Sequence, residues 1–186
     1  MSKLQLKKHL STLTKSQIIE LFVEVYTNNK ATQEYLDYYL SPNEKAMFEK
    51  YRKIIVKEFY PETKSWEPKT RFSVCRKAIA EFRALKPSPL LLADLMLTLP
   101  EAACKFTYEF GDMWEQFYDS ATTNFHAALK YMQQNGVLDD FKLRCNDCVK
   151  YASPCGYGFA DEIASLYIEY YNDKPVYTNR YGESYR

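Results

Sequence analysis

The sequence predicts an all-α protein, an irregular bundle or short array of seven to nine helices. Three observations carry this. The first 110 residues contain no glycine, and all five glycines (Gly111, Gly136, Gly156, Gly158 and Gly182) come later. Glycine supplies the positive-φ turns that tight β-hairpins and phosphate loops need. Apolar residues recur at helical spacing among Leu, Glu, Lys and Ala, all strong helix formers. No apolar–polar alternation runs longer than four residues, and no internal repeat is visible.

Taken in order, a first helix is expected over Lys3–Leu10. Thr14 and Gln17 make a capping box, in which the hydroxyl accepts the third amide and the Gln side chain reaches back. The helix it opens, Ser16–Asn28, is apolar nearly all round (Ile18, Ile19, Leu21, Phe22, Val23, Val25, Tyr26), so it is expected at the centre of the core. A short helix follows over Ala31–Leu40. Ser41-Pro42-Asn43-Glu44 is the clearest start signal, with a Ser cap, a Pro at the first helical position and a Glu closing the box. Its helix puts Met47, Phe48, Tyr51, Ile54, Ile55 and Phe59 on one face and ends at Pro61. Glu62–Lys69 reads as a loop.

Phe72, Cys75, Ile79, Phe82 and Leu85 space out the next amphipathic helix, which Pro87 terminates. Leu90–Leu99 is mostly apolar, Pro100 ends or kinks it, and Glu101–Phe110 continues. Asp112 is expected to cap a long helix with a stripe of Trp114, Phe117, Tyr118, Ala121, Phe125, Ala128, Leu129 and Met132. Asn135-Gly136 before Val137-Leu138 is a left-handed stop. Helices over Asp139–Tyr151 and Phe159–Asn172 complete a single domain, 1–173. Residues 174–186, with Tyr177, Tyr181 and Tyr185, form a flexible Tyr-rich tail.

A chain of 186 residues, 46% hydrophobic and 16% aromatic, has enough apolar surface for one packed core, which excludes a disordered chain. Net charge is +1, unevenly placed: residues 1–86 hold 17 Lys+Arg against 10 Asp+Glu, and residues 87–186 hold 8 against 14. Such halves either dock on each other or leave the basic half to face a polyanion. No signal-type apolar core follows Met1, and Leu90–Leu99 is far shorter than the ~20 residues that span a bilayer. A cytoplasmic location is expected, and an odd count of five cysteines fits a reducing compartment.

Cys145, Cys148 and Cys155 form the most suggestive cluster, since a Cys-x-x-Cys pair is half of a structural zinc site. A second pair is missing, and the remaining ligand candidates are His9, His126 or an acid such as Asp147. The pair also falls on an apolar stripe with Leu138, Phe141, Val149 and Ala152, where cysteine packs as a small hydrophobe. Asp94, set among leucines, is expected to pair with a cation, with Arg71, Arg76 and Arg83 as candidates, or to cap an amide, and a pocket-lining role is the alternative. A basic stripe of Lys3, Lys7, Lys8, Lys15, Lys50, Lys53, Lys57, Arg71, Arg76 and Lys77 invites a nucleic-acid reading, although the pI near 7.5 is low for a dedicated binder. No His-Glu-x-x-His, Gly-x-Ser-x-Gly or phosphate loop is present. No catalytic, cofactor-binding or metal-ligating residue is therefore assigned, and no cofactor is expected.

The stretches LKKHLSTLTKSQIIELFVEVY, YYLSPNE, LADLML and NGVLDDF, in this order, resemble a family of small helical bacterial proteins known only as a domain of unknown function. The likeness covers about residues 3–145 and implies an all-α cytoplasmic protein, with no activity or site residues to transfer. The aromatic residues favour a protein-interaction or scaffolding role, because Tyr and Trp anchor interfaces at low entropic cost. Two rival readings stay open: a nucleic-acid-associated accessory protein using the basic half, and a zinc protein or enzyme without a recognisable motif.

Overall fold

A computed structural model describes residues 1–41, 43–63, 67–178 and 184–185. Pro42 of the start signal, the middle of the Glu62–Lys69 loop and Tyr181 lie outside them. The fold is all-α, with nine α-helices among the described residues. The chain divides into two compact units, 1–43 and 44–186.

The first unit holds α1 (Lys3–Leu10), α2 (Lys15–Asn28) and α3 (Lys30–Leu40). The Thr14–Gln17 capping box forms as expected, at 3.2 and 2.9 Å, and Ser2–Gln5 makes a second box on α1. Asn29 caps α3 through the Thr32 amide, and the Tyr26 hydroxyl donates to Asp37 across the α2–α3 pair. The expectation that α2 lies at the core centre is overturned, because no residue of α1, α2 or α3 is buried. Ile19, Phe22 and Val23 are 53%, 55% and 58% exposed. The reason is coverage: within its unit, α2 packs chiefly on α3, and one main neighbour shields one side of a helix that is apolar on several.

The second unit comprises α4 (Glu44–Phe59), α5 (Phe72–Ala84), α6 (Pro89–Phe110), α7 (Glu115–Gln134), α8 (Lys142–Ala152) and α9 (Phe159–Tyr171). A 3-10 turn, Asp139–Phe141, leads into α8. Consecutive helices form antiparallel pairs. Phe59 meets Phe72 at one end of α4/α5 and Phe48 meets Phe82 at the other. The pairs α4/α5, α6/α7 and α8/α9 then stack. Glu44 accepts the Ser88 amide where α4 and α6 begin, and the Tyr60 hydroxyl donates to Glu109 where they end. On α8, Arg144 reaches Asp94 and Tyr151 meets Tyr108. So α4, α6 and α8 run parallel in one layer. In the other layer Phe72 meets Phe117, Arg83 lies over Tyr131 and Phe159 stacks on Tyr118, which sets α5, α7 and α9 parallel too. This is a short stack of helix pairs of the solenoid kind, formed without a visible sequence repeat.

The core lies between the layers. Phe59, Phe72, Phe106 and Phe117 meet edge-on or tilted, with centroids 5.2 to 6.4 Å apart. The stripes expected on α5 and α7 are buried, except that Trp114 is 54% exposed. Pro100 sits inside an unbroken α6, as the kink alternative allowed. Gly136, at φ 69, closes α7: its amide donates to the Gln133 carbonyl and that of Val137 to the Met132 carbonyl. Asp112 does not cap α7, whose N-cap is Trp114; its carboxylate instead accepts from the Tyr118 hydroxyl and the Gly156 amide. After α9, Asn146 holds Val176 by two hydrogen bonds, and β1 (Tyr177–Thr178) pairs antiparallel with β2 (Ser184–Tyr185).

Candidate functional site

Three parallel helices, side by side, present their outward stripes together. On α4 the stripe is Arg52, Val56 and Tyr60, each four residues from the next. On α6 it is Thr98, Glu101, Ala102 and Lys105. On α8 it is Asp147 and Tyr151. Together they line a groove of about 390 Å³, with the buried Thr98 and Ala102 as its floor.

The groove is held from beneath by one arginine. Arg144 donates from Nε and Nη2 to the Glu101 carboxylate (3.1 and 2.6 Å) and from Nη1 to Asp94 (2.6 Å). All three side chains are about one-third exposed. Burial works against the Arg144 charge, and the two carboxylates outweigh it and hold its proton more tightly than usual. Asp94 thus finds its cation, but on α8, and not among Arg71, Arg76 and Arg83. Arg71 instead gives Glu58 three hydrogen bonds, and Arg83 points Nη2 at the Met96 sulfur. Glu58 reads in sequence as an acid on a solvated helix face but is buried; its backbone carbonyl also accepts the Lys69 and Thr70 amides, which ties the end of α4 to the start of α5.

At the far end of the groove, Lys105 lies 5.8 Å from the Tyr60 ring and 3.7 Å from Glu109. Burial, then the Glu109 carboxylate, pushes the Tyr60 phenol well above its ordinary range, and burial and Asp147 raise Tyr151. Arg52 has an acid, Glu49, only at 3.8 Å. Arg52 and Lys105 therefore keep donors free to turn toward a guest, and Asp147 offers the opposite charge. The groove brings charge and aromatic surface together, and none of its described lining residues is a histidine or a cysteine.

The sequence-derived candidates fall elsewhere. Cys145 and Cys148 are fully buried, as packing residues are, while Cys155 is half-buried. Burial raises the Cys145 thiol to about 12, and a hydrogen bond with Cys104 together with burial raises Cys148 well above its ordinary value. Among the described residues no three His, Cys, Asp or Glu side chains gather as a metal site requires. His9 lies in the last turn of α1, and His126 lies on α7 facing Tyr170 at 5.8 Å. The proposed basic stripe is interrupted by acids: Arg71 pairs with Glu58, Lys57 with Glu62 and Lys77 with Glu81. No helix among the described residues is long and apolar enough to cross a membrane.

The profile of a family of unknown function, DUF6155, matches residues 1–154, which takes in every helix that lines the groove. No curated protein and no solved structure matches the chain. With more than half of its length matched, the chain belongs to DUF6155, a family of unknown function.

Proposed function

We propose that this chain is a protein-interaction scaffold whose groove over α4, α6 and α8 takes an extended segment of a partner protein. The observation that carries the reading is the alignment of three helical stripes from parallel neighbours into one open trough. A stack of helix pairs offers such a surface at no extra cost in folding, because the outward faces of its helices already lie in register. The guest this lining suits bears both charge signs: a carboxylate for Arg52 and Lys105, a cation for Asp147, and apolar side chains against Val56, Tyr60 and Tyr151. The five unpaired cysteines support work in a reducing compartment such as the cytoplasm.

The test is a photo-reactive phenylalanine analogue placed at Tyr151 and, as a control, at Lys77 on α5. Irradiation in the native cell should give a discrete cross-linked protein from position 151, absent from position 77 and lost on Arg52→Glu. Identical adduct patterns from both positions, or no adduct from 151, would sink the reading.

A further inference from the structure

We propose that the basic N-terminal stretch of one chain docks in an acid-lined groove between α7 and α9 of a second copy. This surface is separate from the trough over α4, α6 and α8, and its test is independent of that one. The groove has a volume of about 630 Å³. Its lining includes Asp119 from α7 and Asp161, Glu162 and Glu169 from α9, against one imidazole, His126, and no lysine or arginine. None of these four carboxylates makes an ion pair among the described residues. The Thr122 hydroxyl, in the same wall, is buried and has no hydrogen-bond partner among the described residues. Four like charges around one groove repel, and a polycation relieves that repulsion.

The chain itself carries the complement. Lys3, Lys7, Lys8 and Lys15 precede the first acid, Glu20. None of them makes an ion pair among the described residues, and α1, which carries the first three, leaves Leu4 77% exposed. Lysine ammonium groups match the carboxylates, while Leu4 and Leu6 match Leu166 in the groove and the exposed Ile168. Charge and apolar surface therefore agree on both sides, which makes the basic N-terminal stretch, offered by a second copy, the occupant of this groove. Joining two different surfaces of one chain is a head-to-tail contact, so association continues into a ring or a short filament.

Sedimentation equilibrium tests this on the full chain in about 50 mM and about 500 mM salt, because exposed charges are screened strongly at the higher value. The mass should exceed one chain at low salt, grow with concentration, and fall to the monomer at high salt. Lys7→Glu with Lys8→Glu, and separately Asp119→Lys with Glu169→Lys, should each weaken association about tenfold or more. All four positions are exposed, so helix content by circular dichroism should stay unchanged. An equimolar mixture of the two double variants, with their charges exchanged, should associate again. Should either double variant lose helix content, Glu162→Gln in an otherwise unchanged chain replaces it, with weaker association still expected. A wild-type chain that stays monomeric at low salt overturns the proposal. So does association that ignores both double variants, or binding of a DNA duplex by the monomer through the same lysines.

Discussion

The two units of this chain use similar apolar side chains with opposite results. In α2, Ile19, Phe22 and Val23 stand more than half exposed, whereas Phe59, Phe117 and Phe125 of the second unit are buried almost completely. Capping does not explain the difference, since α2 carries a side-chain capping box that α7 lacks. The difference is the number of neighbours. In the second unit α6 packs against α4, α5, α7 and α8, while α2 packs within its unit chiefly against α3. An apolar helix becomes core only where other helices surround it.

The comparison can be broken at its strongest point first. Phe59→Ala removes a ring that touches Phe72, Phe106 and Phe117, and should lower unfolding free energy by about 3–5 kcal/mol in urea titrations. A loss below 1 kcal/mol would mean that the core is less closely packed than the aromatic geometry requires. Thiol chemistry sharpens the contrast further. Val23→Cys should react with an aromatic disulfide reagent about a hundredfold faster than Cys75, Cys104, Cys145 or Cys148, which should wait for denaturant. Comparable rates would dissolve the distinction between the units.

Within the second unit, Arg144→Ala leaves Asp94 and Glu101 facing each other without their cation. A loss of about 2 kcal/mol is expected, with Arg144→Lys restoring less than half, because an ammonium cannot bond both carboxylates as the forked guanidinium does. Full recovery by lysine would show that charge alone matters there.

Acid tests the α4–α5 junction. Hydrogen bonding to Arg71 lowers the Glu58 carboxyl below its ordinary 4.5. As pH falls the unfolded chain therefore takes up this proton first. The stabilisation is complete above the ordinary value and disappears as pH falls through the depressed one. Glu58→Gln should flatten that part of the stability–pH curve; an unchanged acid limb would assign it to other carboxylates. The smallest effect is expected from Phe22→Ala, within about 0.5 kcal/mol in the monomer, since a side chain 55% exposed gives up little on truncation. A larger loss would mean that this face is covered in solution.

Much of the local structure was legible because its causes lie within a few residues. The Thr14–Gln17 box, the helix Lys3–Leu10, the Asn135-Gly136 stop and the continuation past Pro100 all follow from neighbours in sequence. The stripe containing Cys145 and Cys148 likewise announced its burial by its period. Asp94 was legible as a paired acid, yet its partner Arg144 lies 50 positions away and nothing in the periodicity of either helix points to the other. Asp112 misled for a related reason: a residue suited to capping was taken up by Gly156, 44 positions on. The groove was invisible, since Arg52, Lys105 and Asp147 look like ordinary solvent-facing charges until three helices lie parallel.

The sequence by itself determined that this protein is helical, where most of its helices begin and end, and which face of α4, α5, α7 and α8 turns inward. Those are consequences of backbone propensity, capping and period, all settled over one or two turns. Only the tertiary structure decided that the pairs stack in two layers, that Ile19, Phe22 and Val23 of α2 stay more than half exposed, and that one face gathers the charges of three helices. Each of these depends on which distant surfaces meet, and the free energy of that choice belongs to no single segment.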